Sequence, residues 1–154
     1  SMSFSKYRQR ITLASILVVA MANGCRKNYW PGPDVIDDGA LTAEFTETQS
    51  GLRYRILRRS SGQRPTPQSK VFVHYRGWLE DETVFDSSYE IGASSAFIVE
   101  QTLLGWREGL QFIGEGGMIE LVIPPDLAYG EKGNPPIIPA NETLRFRVEL
   151  IHVD

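Results

Sequence analysis

The chain has very little of what metal, disulfide and nucleophile sites need. Its 154 residues include one cysteine, Cys25, so no intrachain disulfide can form, and only two histidines, His74 and His152. These three residues match no spacing of a metal-ligand set, and no serine lies in a motif that pairs it with a histidine. The sequence therefore argues against a metal-dependent or Ser-His hydrolase, and we expect neither a metal nor a cofactor. His74 lies in a strand-like run, which favours a structural, hydrogen-bonded histidine over a proton-transfer role.

Basic residues are scarce outside the N-terminal end. Residues 1–33 hold five basic side chains and no acidic one, whereas residues 34–154 hold eleven basic and nineteen acidic ones, a formal charge of −8. Such a body lacks the positive face that nucleic-acid binding needs, so no nucleic-acid partner is expected. One local basic cluster exists, but apolar residues interleave with it, which favours a solvated strand face. Its members are Arg53, Arg55, Arg58 and Arg59.

No apolar run is long enough to span a bilayer comfortably, and the longest lies near the N-terminus. Residues 11–21 are mostly apolar, three basic side chains precede them, and small residues follow at 22–24. This order is typical of a secretory signal over residues 1–25. Cys25 directly after Gly24 resembles the cysteine of a bacterial lipoprotein signal, although Ala22 and Asn23 depart from that signal. We therefore expect export to the bacterial periplasm or cell envelope, with possible lipidation of Cys25 and membrane anchoring through the N-terminus.

The alternative is that residues 1–25 form a helix that stays part of the fold, in which case the protein is cytoplasmic. Residues 26–48 are rich in Pro, Gly and acidic residues without sustained periodicity, which predicts a linker or an irregular N-terminal arm. The main domain is then residues 49–154.

Alternating apolar residues predict several strands in this domain. Residues 53–58, 70–79, 118–123 and 143–151 all show the two-residue period. In the last run, one set of alternate residues should face the core: Leu144, Phe146, Val148 and Leu150. The other set should face the solvent: Arg145, Arg147 and Glu149. Residues 80–83 predict a hairpin turn. Glu82 is unsuited to a turn position that requires positive φ, so a turn type without that requirement is expected.

Only one helix is predicted. Its stripe consists of Leu103, Trp106, Leu110 and Ile113, spaced i, i+3, i+7 and i+10, and glycines at 114, 116 and 117 end it. Several strands and one short helix predict an α+β fold, with an antiparallel sheet curved around the helix and one face of the sheet in solvent.

A set of aromatic residues in characteristic contexts runs through the second half of the chain. Tyr75 lies in VHYRG, Phe85 and Asp86 in VFDSS, Trp106 after Gly105, Tyr129 in LAYG, and Phe146 in the last alternating run. From about residue 50 to 154 these motifs resemble, in order, the FKBP family of peptidyl-prolyl cis-trans isomerases. The resemblance implies the same antiparallel sheet wrapped around one short helix.

The resemblance also implies a pocket for a prolyl ring. The implied catalytic residues are Tyr75, Phe85, Asp86, Trp106, Tyr129 and Phe146, and the implied substrate-binding residues are Gln101, Thr102, Leu103, Ile137 and Ile138. Trp106 would be the floor, and the backbone amide of Ile138 or a neighbour would hydrogen-bond the substrate. Aromatic residues at strand spacing can instead be core, and Asp86-Ser87-Ser88 can instead be a turn or cap motif.

The rim of this pocket departs from the family pattern at Ile91, Ser95, Thr102, Asn134 and Pro136, and two of these departures carry an expectation. Ser95 or Ala96 stands where some members have a further aromatic wall, which predicts a more open side. Ile91 stands where some members have an arginine paired with the aspartate, so Asp86 is expected to lack a charged partner.

The sequence thus predicts a monomeric isomerase acting on proline-containing peptides and unfolded proteins, with possible affinity for macrolides of the rapamycin type. The alternative is a module of the same fold that binds proline peptides or macrolides with weak or no turnover.

Overall fold

The computed structural model describes residues 32–154 of the chain. The predictions for residues 1–25, including lipidation of Cys25, lie outside this range. The strands are β1 (Thr46–Glu47), β2 (Arg53–Arg58), β3 (Lys70–Trp78), β4 (Val84–Ser87), β5 (Ser95–Ile98), β6 (Met118–Ile123) and β7 (Leu144–Val153), and the helices are α1 (Ser88–Ile91) and α2 (Leu104–Gly109). Four 3-10 turns lie at Val99–Gln101, Leu110–Phe112, Pro125–Leu127 and Gly130–Lys132.

The strands form one antiparallel sheet in the order β1-β2-β6-β7-β3-β4, with β5 also paired to β3. β4 pairs with β3 at residues 76–78, and β5 pairs with the same edge at residues 70–73. The four strands predicted from alternation are confirmed, since β2, β3, β6 and β7 cover those runs within two residues. The predicted α+β class is confirmed as well.

The predicted helix is present but shorter than its apolar stripe. α2 ends at Gly109, and a 3-10 turn carries the chain through Leu110–Phe112. A Cβ atom at Gly105 would lie 2.5 Å from Ile123 Cγ2, and one at Gly109 would lie 2.5 Å from Leu121 Cδ2. These two glycines let α2 approach β6 closely, and this contact fixes where Trp106 lies. The one-turn helix α1 was not predicted.

The face of the sheet that packs against α2 is the core face. The core residues include Val71, Val73, Ile119, Leu121, Leu144, Val148 and Leu150, all with no exposed surface. The apolar half of β7 is therefore buried as predicted.

The opposite, reverse face does not match the prediction of a solvated surface. Glu149 is fully buried and Glu120 is 2% exposed. Arg58 Nη2 lies 3.0 Å from Glu149 Oε2, and Arg55 Nη2 lies 2.8 Å from Glu120 Oε2. The solvated reading of the basic cluster is therefore wrong for Arg55 and Arg58, because both are counter-ions of buried carboxylates.

The chain preceding β1 covers part of this reverse face. Arg58 donates hydrogen bonds to the carbonyl oxygens of Gly32 and Val35, and the amide of Asp37 donates to Leu57 O at 2.8 Å. Ala40 and Ile36 pack with Leu57 and Met118. Residues 32–45 contain no helix or strand, β1 follows at Thr46–Glu47, and the segment before β1 docks on the sheet.

The turn after β3 contains a non-glycine residue with positive φ, which the sequence did not lead us to expect. Glu82 has φ 68°, so the prediction of a different turn type is wrong. The Glu82 carboxylate pairs with Arg145, and Asp81 Oδ1 accepts the amide hydrogen of Thr83 at 2.9 Å. These contacts offset the left-handed conformation of a non-glycine residue.

None of the helices in residues 32–154 has the length and apolar character that crossing a bilayer requires.

Candidate functional site

A cavity of about 390 Å³ opens beside α2 on the core face of the sheet. Its volume is in the range of small-ligand pockets. The lining side chains come from seven separate parts of the fold. They are Tyr75 of β3, Phe85 and Asp86 of β4, Phe97 of β5, Gln101, Thr102 and Leu103 before α2, Trp106 of α2, Tyr129 after β6, and Phe146 of β7. The structure thus brings together nine of the eleven predicted site residues.

Trp106 is at the centre of the aromatic contacts. Its ring centroid lies 5.3 Å from that of Tyr75, 5.7 Å from that of Phe97 and 5.3 Å from that of Phe146, in each case nearly perpendicular. Edge-to-face packing is a favourable arrangement for aromatic rings. Trp106 is 5% exposed, and its indole nitrogen has no hydrogen-bond partner among the described residues. The three contacts hold the indole in one orientation against the cavity.

Gly77 of β3 makes room for the ring pair at the other side of the cavity. A Cβ atom there would lie 2.7 Å from Phe85 Cζ and 2.8 Å from Phe146 Cε1. The rings of Phe85 and Phe146 pack edge to face, with centroids 5.5 Å apart, directly over this backbone. A side chain at position 77 would push both rings into the cavity.

One edge of the cavity is polar. The Tyr75 hydroxyl donates a hydrogen bond to Asp86 Oδ2 at 2.6 Å. Burial raises the pKa of Tyr75 above its ordinary value of 10.0, and the carboxylate of Asp86 raises it further. Tyr75 therefore keeps its proton at physiological pH, and Asp86 is exposed enough to meet a ligand.

Residues 61–151 match the family of FKBP-type peptidyl-prolyl cis-trans isomerases. The chain belongs to this family. It is 44% identical over 104 residues to the peptidyl-prolyl cis-trans isomerase Mip of Coxiella burnetii, covering 68% of this chain and 45% of that protein. It is also 44% identical over 130 residues to the FKBP-type peptidyl-prolyl cis-trans isomerase FkpA of Escherichia coli, covering 78% of this chain and 48% of that protein. The chain thus spans about half the length of these curated relatives.

Solved structures agree with this assignment. The crystal structure of FkpA from Escherichia coli matches with a TM-score of 0.69 and 43% identity, over 71% of this chain and 51% of that one. A peptidyl-prolyl cis-trans isomerase from Pseudomonas syringae matches with a TM-score of 0.67 and 33% identity, over 71% of this chain and 80% of that one. The FKBP-like sheet that the sequence predicts is therefore confirmed.

Two residues expected in the pocket of this FKBP-type domain do not line the cavity. Ile137 is 56% exposed and Ile138 is buried in the core. The amides of both donate to Asn134 O, at 3.2 and 3.0 Å, so the substrate hydrogen bond expected of Ile138 is not available in this arrangement. The intervening Pro135–Pro136 peptide bond is cis.

Phe97 is the pocket residue that the sequence reading missed. The expectation of an open side at Ser95 or Ala96 is wrong, because Phe97 supplies an aromatic wall there and contacts both Tyr75 and Trp106. Its position in β5, paired with Val71, directs it to the core face. The usable signal was the two-residue spacing of Phe97 and Val99, of which Phe97 is half-buried and Val99 is fully buried.

The residues at the mouth of the cavity differ in their hydrogen bonding and in their exposure. Thr102 Oγ1 donates to Val99 O at 2.6 Å, so its hydroxyl is tied to the backbone. Tyr129 is 38% exposed at the mouth of the cavity. Ile91 is 73% exposed, and none of the ion pairs found in residues 32–154 involves Asp86. Within that range, no group of three or more His, Cys, Asp or Glu side chains is arranged to hold a metal ion.

His74 lies behind the site, on the reverse face. Its Nδ1 is 3.0 Å from Ser88 Oγ and its ring stacks on Tyr89 at 5.1 Å, as expected of a structural histidine. Burial lowers the pKa of His74 below its ordinary value of 6.5, against the opposing effect of the Glu149 carboxylate.

This shift predicts a loss of stability on acidification. As pH falls below 6.5, the unfolded chain takes up the proton first, so the free energy of unfolding falls until the lower native pKa is passed. Urea denaturation at pH 7 and pH 5.5 measures the effect. His74→Gln should lose less stability than the wild type between these pH values, and an equal loss in both would contradict the assignment.

Proposed function

We propose that the domain accelerates rotation about X–Pro peptide bonds, using the aromatic cavity as the site for the prolyl ring. The observation that carries this proposal is the Trp106-centred cavity with a Tyr75–Asp86 hydrogen bond at its edge, in a chain of the FKBP-type isomerase family. The uncatalysed rotation has a barrier of about 20 kcal/mol, because the twisted amide loses its resonance. No proton transfer is required, so binding the twisted amide more tightly than the planar one is sufficient.

The rings supply the apolar part of this mechanism. Trp106 forms the floor under the pyrrolidine ring, and Tyr75, Phe85, Phe97 and Phe146 form its walls. They exclude water from the imide carbonyl. Because the twisted amide has less charge separation than the planar one, apolar surroundings favour the twisted form.

The polar groups orient the peptide. Asp86 faces the carbonyl region, held there by the Tyr75 hydroxyl, and Tyr129 brings a second hydroxyl to the rim. Leu103, Thr102 and Gln101 contact the chain next to the proline.

The substrates on this proposal are proline-containing peptides and unfolded proteins, for which proline isomerisation limits the folding rate. Macrolides of the rapamycin type suit the same apolar cavity. The basic and apolar order of residues 6–24 supports export to the bacterial cell envelope, and Cys25 supports a lipid anchor. We propose a monomer with residues 49–154 as the catalytic domain.

A protease-coupled cis/trans assay with proline peptides tests turnover. A rate above that of buffer, proportional to enzyme concentration, is expected. A rate equal to that of buffer would contradict the enzyme proposal. It would favour the alternative, a module that binds proline peptides or macrolides without turnover, because a cavity of this kind can bind a ligand without catalysing a reaction.

Ligand binding at the cavity should change the fluorescence of Trp106. With Trp30→Phe and Trp78→Phe in place, titration with rapamycin or a prolyl peptide should shift or quench the remaining emission saturably, because the ligand displaces water from the indole. Trp78 is a suitable removal, since its ring lies on the reverse face under Arg145. An unchanged spectrum at saturating ligand would place the site elsewhere.

A further inference from the structure

We propose that α1 is a positioning element for Asp86, held from the reverse face of the sheet through Ser88 and Tyr89. The inference rests on the proposed isomerase function and names residues that act on the site without lining it. Asp86 is the last residue of β4 that lines the cavity, and α1 begins two residues later. The backbone of Asp86 is paired with Gly77 of β3, and a displacement of α1 would reach it through one intervening residue, Ser87.

Ser88 is the first of the two attachments. β4 pairs with β3 at residues 76–78 and β5 pairs with it at 70–73, which leaves residues 74 and 75 without a strand on this edge. The fully buried Ser88 fills the gap: its Oγ accepts the amide hydrogen of Tyr75 at 2.8 Å. The same oxygen lies 3.0 Å from His74 Nδ1 and 3.3 Å from Tyr75 O, one of which accepts its proton.

Tyr89 is the second attachment. Its hydroxyl donates to Glu149 Oε1, and its ring stacks on His74. Glu149 is itself fixed by Arg58, 3.0 Å away in the buried ion pair of the reverse face. Burial, followed by the hydrogen bond to Glu149, raises the pKa of Tyr89, so the hydroxyl stays a donor.

The two attachments close a ring of contacts around the catalytic pair. Tyr75 binds Asp86 through its hydroxyl at 2.6 Å and Ser88 through its backbone amide, and only Ser87 lies between these two partners in the chain. A shift of α1 would have to break one of these hydrogen bonds. Because Asp86 has no ion pair within residues 32–154, its position beside the pocket depends on the pairing of its backbone with Gly77 and on this ring of hydrogen bonds.

Ser87 offers a matched control for Ser88. Its hydroxyl is buried beside that of Ser88 but has no hydrogen-bond partner among the described residues. Ser88→Ala should lower kcat in the peptide isomerisation assay by roughly five- to tenfold with KM changed less than twofold, because the apolar walls that bind the ground state remain. Ser87→Ala should leave both parameters near those of the wild type. Ser88→Thr, which keeps the hydroxyl, should restore part of the lost kcat.

A spectroscopic readout separates this inference from the activity itself. The Tyr75 hydroxyl proton, assigned by its loss in Tyr75→Phe, should give a slowly exchanging downfield NMR signal in the wild type and in Ser87→Ala. The signal should be lost or broadened in Ser88→Ala. If the wild type shows no turnover, the proposed function fails and this signal alone decides the positioning role.

Tyr89→Phe tests the second attachment and replaces Ser88→Ala if that variant does not fold. A fall in kcat of about threefold or more with KM little changed, together with a weakened Tyr75 signal, is expected. The inference is overturned if Ser88→Ala, or Tyr89→Phe in its place, keeps the wild-type kcat and the wild-type Tyr75 signal. It is equally overturned if Ser87→Ala loses as much kcat as Ser88→Ala.

Discussion

Phe85→Ala should lower kcat/KM for proline peptides by about tenfold or more, a loss of at least about 1.4 kcal/mol of transition-state binding. The ring packs against Phe146 at 5.5 Å and over the backbone of Gly77, so its removal opens one wall of the cavity to water. Water at this wall would solvate the imide carbonyl, which favours the planar amide. The protease-coupled assay measures the effect.

Asp86→Ala should cause a loss of similar size for a different reason. It removes the acceptor of the Tyr75 hydroxyl and the carboxylate that we propose faces the substrate. Val84→Ala is a suitable control, since Val84 is an apolar residue of the same strand, 40% exposed and outside the cavity. If Phe85→Ala and Asp86→Ala both retain the rate of Val84→Ala, the site has been misplaced.

Glu149→Gln should lower the free energy of unfolding by about 3 kcal/mol or more, since removing one partner of a buried ion pair leaves the other charge uncompensated. Arg58 is 6% exposed. Its hydrogen bonds to the carbonyls of Gly32, Val35 and Gly116 would persist, but they do not neutralise its charge. Urea denaturation monitored by circular dichroism measures the change.

Glu82→Gln is the matched control for Glu149→Gln. Glu82 also pairs with an arginine, Arg145, but its side chain is 69% exposed, so the same substitution should cost less than about 1 kcal/mol. The double variant Arg58→Met/Glu149→Leu should recover part of the loss, because it leaves no buried charge, while the Tyr89 hydroxyl and the carbonyls that Arg58 served lose their partners. Equal effects of Glu149→Gln and Glu82→Gln would show that burial of the Arg58 pair does not matter.

Much of the fold could be predicted from local patterns. Alternation placed β2, β3, β6 and β7 because one face of each strand is apolar and is buried in the common core. The same pattern failed on the reverse face. Glu149 stands at an outward position of β7, yet it is fully buried and pairs with Arg58, which lies 91 residues earlier in the chain. Alternation identifies the face of a residue but not what covers that face.

The site was predicted from motifs rather than from periodicity. Six of the predicted residues lie in short motifs that are typical of the family, and the structure places all six around one cavity. They are Tyr75, Phe85, Asp86, Trp106, Tyr129 and Phe146. Phe97 was not predicted because the family resemblance places this wall at Ser95 or Ala96, one or two residues before Phe97. Ile137 and Ile138 were predicted to line the pocket and do not. Their amides form hydrogen bonds within the loop at 134–138, and sequence spacing does not reveal hydrogen-bond partners.

The sequence by itself determined the family, the strand periods and the set of aromatic residues, since these depend on the identity and order of side chains. Only the tertiary structure decided that Phe97 lines the pocket, that Ser88 and Tyr89 bond to Tyr75 and Glu149, and that Arg58 pairs with Glu149. The reason is physical. Burial and hydrogen bonding depend on groups brought together from distant parts of the chain. A local sequence pattern does not predict which distant group will contact a given residue.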